Sequence, residues 1–69
     1  MEVLILWTTI YVSIDFKNIK QVEMDLKTEG FLVRLNRAID EEADSLYELS
    51  VLENEVMDAR EYLMEKGII

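Results

Sequence analysis

The stretch QVEMDLKTEGFLVRLN, residues 21–36, fits two structures, a β-hairpin and a capped helix, and the choice between them decides the fold. In the hairpin, Val22, Met24 and Leu26 alternate with polar residues and form one apolar face. Gly30 would close the turn with a positive φ angle, which a residue without a Cβ atom adopts at little cost. Met24 lies off the apolar stripe of the helix but on the apolar face of the strand. The alternation therefore favours a hairpin.

The competing helix has its own signals. Asn18 could serve as the N-cap, Ile19, Val22 and Leu26 recur at helical spacing, and Gly30 would follow the last turn. The strand pattern accounts for every position from 21 to 27. The sequence therefore predicts a hairpin here, with the helix as the alternative.

The segment that precedes this stretch is predicted to be a strand. Residues 3–15 are rich in β-branched and aromatic side chains. The even positions form one apolar face: Leu4, Leu6, Ile10, Val12 and Ile14. Trp7 and Tyr11 share the odd face, where they would belong either to the core or to a second binding patch or dimer interface. The pattern leaves both alternatives open.

The segment that follows carries helix formers and no breaker over residues 37–66. Its apolar residues form two stripes. The first contains Ile39, Ala43, Leu46 and Leu49, and the second contains Val51, Leu52, Val56, Ala59, Tyr62 and Leu63. At about 100° per residue the two stripes are offset by roughly 150°, so they cannot both face one sheet.

Two arrangements resolve this offset. The helix could break at the capping box that begins with Ser50, or it could continue, straight or kinked, and meet a second copy of the chain. The absence of glycine and proline near Ser50 favours the continuous helix. The predicted dimer seam consists of Leu52, Val56, Ala59 and Leu63.

The sequence thus predicts one α+β domain over residues 1–69. A three-stranded antiparallel β-meander, residues 1–36, would precede one long acidic amphipathic helix, residues 37–66. A domain of this size has a small core, and self-association would supplement it.

The composition excludes several function classes. The net charge of −8 comes entirely from residues 38–69, where ten acids oppose Arg60 and Lys66. This acidity disfavours direct binding to nucleic acid. With no histidine and no cysteine, the chain lacks the usual general base, the best nucleophile and the usual zinc ligands, so we expect no enzyme, cofactor or metal site.

The apolar run at residues 3–14 is too short to span a bilayer and follows an acid rather than a basic region. We therefore expect a cytoplasmic protein that does not contact membranes.

The predicted helix would carry an acidic face with embedded apolar residues: Asp44, Tyr47, Glu48, Val51, Glu55 and Asp58. Neighbouring like charges destabilise a helix slightly, so a basic partner would explain the arrangement better than local stability does. The predicted function is a small acidic protein-protein interaction module, a homodimer that binds or inhibits a basic macromolecule. The alternatives are a purely structural self-associating subunit and a DNA-mimic inhibitor of a nucleic-acid-binding protein. An acidic face that serves only solubility is also compatible with the pattern.

Overall fold

The computed structural model describes residues 6–38 and 46–69, which form an α+β fold. The elements are, in chain order, strand β1 (Trp7–Ser13), helix α1 (Phe16–Thr28), strand β2 (Val33–Ala38), strand β3 (Leu46–Leu52) and helix α2 (Val56–Glu65). A single turn of 3₁₀ helix, Glu53–Glu55, joins β3 to α2. The predicted α+β class and the predicted three-stranded antiparallel sheet are confirmed.

The order of strands in the sheet differs from a meander. The order is β1-β3-β2, and β3 is antiparallel to both neighbours. The two outer strands therefore run parallel to each other, with α1 connecting them and β3 between them, which is a split β-α-β arrangement. The predicted meander is wrong because the element that follows β1 in the chain is a helix, and β2 lies at the far edge of the sheet.

The stretch that decides the fold begins as a helix, and the hairpin prediction is wrong. The Asp15 carboxylate caps the helix by accepting a hydrogen bond of 3.0 Å from the backbone N–H of Lys17. Ile19, Val22 and Leu26 form the buried stripe. Met24, whose position in the apolar alternation favoured the strand, is 61% exposed. The alternation therefore does not mark a buried face.

Gly30 ends α1 in the left-handed region, with a φ of +98°. Its N–H donates to the Lys27 carbonyl at 3.0 Å, and the Phe31 N–H donates to the Leu26 carbonyl at 3.1 Å. These two bonds form a Schellman motif, which satisfies carbonyls that the last turn leaves free. Gly67 ends α2 in the same way. The positive φ at Gly30 was expected, although it closes a helix and not a hairpin.

The predicted long helix over residues 37–66 is also wrong. Residues 46–52 form the central strand, in which Leu49 and Val51 are fully buried, and α2 has only ten residues. The part of the predicted helix at residues 39–45 lies outside the described residues. A kink near Ser50 is not present either, because Ser50 lies within β3.

Both helices pack on the same face of the sheet. The core joins α1, β3 and α2 through Ile19, Val22, Leu26, Leu49, Val51, Ala59 and Leu63. Two aromatic pairs pack beside this core. Between ring centroids, Phe16 lies 5.2 Å from Tyr47, and Phe31 lies 6.3 Å from Tyr62. We call this side of the sheet the helix-covered face.

A β-bulge in β1 separates the two aromatic residues of that strand. Thr9 pairs with Ser50 and Tyr11 with Leu49, so Ile10 is the extra residue. Paired residues of antiparallel strands share a face. Tyr11 therefore lies on the helix-covered face, where its hydroxyl donates to Asn18 Oδ1 at 2.7 Å, while Trp7 lies on the other face.

Candidate interaction surfaces

The second face of the sheet is covered by no described element. Strand pairing places ten residues there, and we call them the open sheet face: Trp7, Thr9, Val12, Arg34, Asn36, Ala38, Leu46, Glu48, Ser50 and Leu52. Half of these side chains are apolar. A mixed composition of this kind is compatible with water contact and with burial by a partner.

Side chains on the open sheet face contact one another across the strands. The Arg34 guanidinium carbon lies 5.9 Å from the Trp7 ring centroid, a cation-π distance. Thr9 and Ser50 share a hydroxyl hydrogen bond of 3.2 Å beneath them. Trp7 keeps 37% of its surface exposed. The face is thus partly ordered by its own contacts and still presents an aromatic ring.

The open sheet face carries one positive and one negative side chain, Arg34 and Glu48. They lie on adjacent strands, opposite Ser50 and Asn36 respectively. Within the described part of the chain neither forms a salt bridge. The face is therefore neutral in a chain whose net charge is −8.

A different surface lies on α2, on the side that faces away from the core. Met57, Glu61 and Met64 follow one another at i, i+4 and i+7, which aligns them in one stripe. Asp58 and Glu65 flank this stripe, and together these side chains line a shallow depression with Arg60. We call Met57, Asp58, Glu61, Met64 and Glu65 the acid-methionine face. Met57 is 83% and Met64 is 65% exposed.

The edges of the sheet carry features that discourage pairing with a further strand. Arg34 and Arg37 place charge on β2, and the bulge at Ile10 interrupts β1. Edge charges and bulges both oppose strand addition. The faces, rather than the edges, are therefore the surfaces to consider for contacts.

The predicted partner-binding residues do not form a common face. Asp44 lies outside the described residues. Tyr47 and Val51 point to the helix-covered face, whereas Glu48 points to the open sheet face. Asp58 belongs to the acid-methionine face of α2.

Glu55 lies in the 3₁₀ turn, and its Oε2 atom is buried without a hydrogen-bond partner among the described residues.

The residues of the predicted dimer seam do not share one surface either. Ala59 and Leu63 are fully buried in the core of this chain, and Val56 packs against it. Leu52 lies on the open sheet face opposite Trp7.

Sequence reasoning missed the roles of Arg34, Met57 and Met64. The i, i+7 spacing of the two methionines is present in the sequence, but the apolar stripes predicted for a helix over residues 37–66 contain neither of them. The position of Arg34 beside Trp7 depends on β3 lying between their strands. No local pattern carries that information.

The chemistry of the described residues is limited. No group of three or more acidic side chains in residues 6–38 and 46–69 is placed to hold a metal ion. Among the same residues, no helix has the length and apolar character needed to cross a membrane. Comparison of the chain with known families, curated proteins and solved structures returns no match.

Proposed function

We propose that this chain is a protein-protein interaction module whose acid-methionine face binds a basic amphipathic segment of another protein. The observation that carries the proposal is the stripe of Met57 and Met64, exposed by 83% and 65%, among three carboxylates. Exposed methionines adapt their flexible side chains to an apolar partner surface. The carboxylates favour basic partners over acidic ones and accelerate association.

The chemistry of the partner follows from this arrangement. An amphipathic helix could lay its apolar side chains on Met57 and Met64, with lysine or arginine on either side to meet Asp58, Glu61 and Glu65. Burial of a methionine side chain contributes about 1.5–3 kcal/mol, and each exposed charge pair contributes about 0.2–1 kcal/mol. The methionines therefore supply most of the affinity and the acids supply the selectivity.

The test uses a synthetic helical peptide of leucine and lysine with an amphipathic pattern, titrated into the full chain by isothermal calorimetry. A peptide of the same composition in scrambled order and a leucine-glutamate peptide are the ligand controls. We expect binding to the basic amphipathic peptide alone. Equal binding of the scrambled peptide would contradict the proposal, because it would reduce the interaction to general charge attraction.

Matched variants locate the binding surface. Met57→Ser and Met64→Ser should each weaken binding about tenfold or more, because each removes about 1.5 kcal/mol or more of apolar burial. Met24→Ser is the control, since Met24 on α1 is comparably exposed at 61%. Equal effects of all three substitutions would contradict the assignment to α2.

The charges are tested in pairs. Asp58→Asn with Glu61→Gln should weaken binding severalfold and reduce its dependence on salt. Asp25→Asn on α1 with Glu29→Gln at its C-cap makes the same change in net charge and should leave binding near the wild-type value. If both pairs have the same effect, net charge rather than the acid-methionine face attracts the peptide.

The DNA-mimic alternative has less support than this proposal. It required carboxylates repeated along one helix, whereas Glu48 lies in a strand and α2 has ten residues. The structural-subunit alternative has one observation in its favour, the open sheet face.

A further inference from the structure

We infer that the open sheet face packs against the same face of a second copy of this chain, with Arg34 of each copy against Glu48 of the other. The inference does not rest on the proposed binding of a basic partner, because it uses the opposite side of the molecule. It assigns a surface to the predicted homodimer, replacing the predicted seam whose members Ala59 and Leu63 are buried in the core.

The charge distribution indicates that the partner on the open sheet face is a second copy of this chain. Two copies with a net charge of −8 repel each other, and the repulsion is smallest where the contact is neutral. The open sheet face is neutral, whereas the acid-methionine face would set carboxylates against carboxylates. Arg34 and Glu48 lie on adjacent strands, so a twofold axis between them brings opposite charges together twice.

The apolar side chains of the open sheet face also favour packing against a second copy. Trp7, Val12 and Leu52 lie on this face, with Trp7 37% and Val12 46% exposed. A partner sheet at about 10 Å would bury all three side chains. Thr9 and Ser50 share one hydrogen bond, so one of their two hydroxyl donors is already paired before a partner sheet covers them.

The size of the face sets the strength of the dimer. Three strands of six or seven residues cover roughly 14 by 20 Å. The resulting area of about 280 Å² is below the roughly 800 Å² that each partner buries in a standard stable interface. We therefore expect a dimer whose population depends on protein concentration.

The experiment measures solution mass by sedimentation over a range of concentrations. We expect a rise towards twice the 8.1 kDa mass of one chain. Arg34→Glu places glutamate against Glu48, and Glu48→Arg places arginine against Arg34, so each variant alone should remain a monomer. An equimolar mixture of the two variants restores both opposite-charge contacts and should dimerise. Arg60→Glu on α2 makes the same charge change as the first variant and should preserve the dimer.

Three results would overturn the inference: a wild-type mass of one chain at every concentration, a dimer that survives both single substitutions, or a mixture of folded variants that stays monomeric. Circular dichroism confirms that each variant folds. Trp7, the single tryptophan of the chain, gives a measurement on the wild type that needs no variant. Its quenching by acrylamide should decrease as the dimer forms, and a dimer with unchanged quenching would place the contact elsewhere.

Discussion

Leu63 offers the sharpest test of how this chain uses its apolar residues. The sequence suggested that Leu63 lies in a seam between two chains, whereas it is fully buried in the core formed by α2, α1 and β3. Leu63→Ala should therefore reduce the free energy of unfolding by about 3 kcal/mol, within the 2–5 kcal/mol that buried leucines show. A 69-residue domain has a total free energy of unfolding of about 3.5–10 kcal/mol, so this loss is about 30% of the total or more.

The assay is urea unfolding followed by circular dichroism at constant protein concentration, since dimerisation stabilises the folded state by mass action. With a slope of ~1 kcal/mol per molar urea, the midpoint should fall by about 3 M. Met64→Ala is the adjacent control, and its exposed side chain should change stability by less than about 0.5 kcal/mol. An unchanged midpoint for Leu63→Ala, accompanied by a lower solution mass, would refute the core assignment and restore the seam.

Three further substitutions test the local features of the fold, each measured by the same unfolding assay. Gly30→Ala should cost about 1–2 kcal/mol because an L-residue is strained at a φ of +98°, and a chemically synthesised chain with D-alanine at position 30 should show no such loss. Asp15→Ala should cost about 1 kcal/mol through loss of the helix cap, while Asp15→Asn, which retains an acceptor, should cost much less; equal losses would contradict the capping role. Glu23→Gln should cost less than about 1 kcal/mol, because the lysines that pair with Glu23 at 3.1 and 3.7 Å are about half exposed; a larger loss that salt leaves unchanged would argue against this screening.

The first strand and the fold class could be predicted because their signals are local. Residues 7–13 combine β-branched and aromatic side chains, and β1 spans the same segment. The choice at residues 21–36 failed because one exposed side chain, Met24, imitated the alternation of a strand. The helix is capped by Asp15, three residues before the predicted cap at Asn18.

The central strand could not be predicted from local patterns. Leu46–Leu52 contains leucine and glutamate, which favour helices, and it becomes a strand because β1 and β2 both pair with it. The bulge at Ile10 is equally invisible in the sequence, since it depends on the register between Thr9 and Ser50. The open sheet face follows from these tertiary features, whereas the acid-methionine face lies on one helix and has a local signature in the methionine spacing.

The central position of β3 also has a consequence for the order in which the molecule folds. Strands β2 and β3 are near neighbours in the chain, whereas the Thr9–Ser50 contact joins residues 41 positions apart. Closing the larger loop costs more chain entropy, so we expect the β2–β3 hairpin to precede the docking of β1. Substitutions in β1 would then accelerate unfolding and leave the folding rate nearly unchanged. The strand that comes first in the chain would be the last to join the sheet.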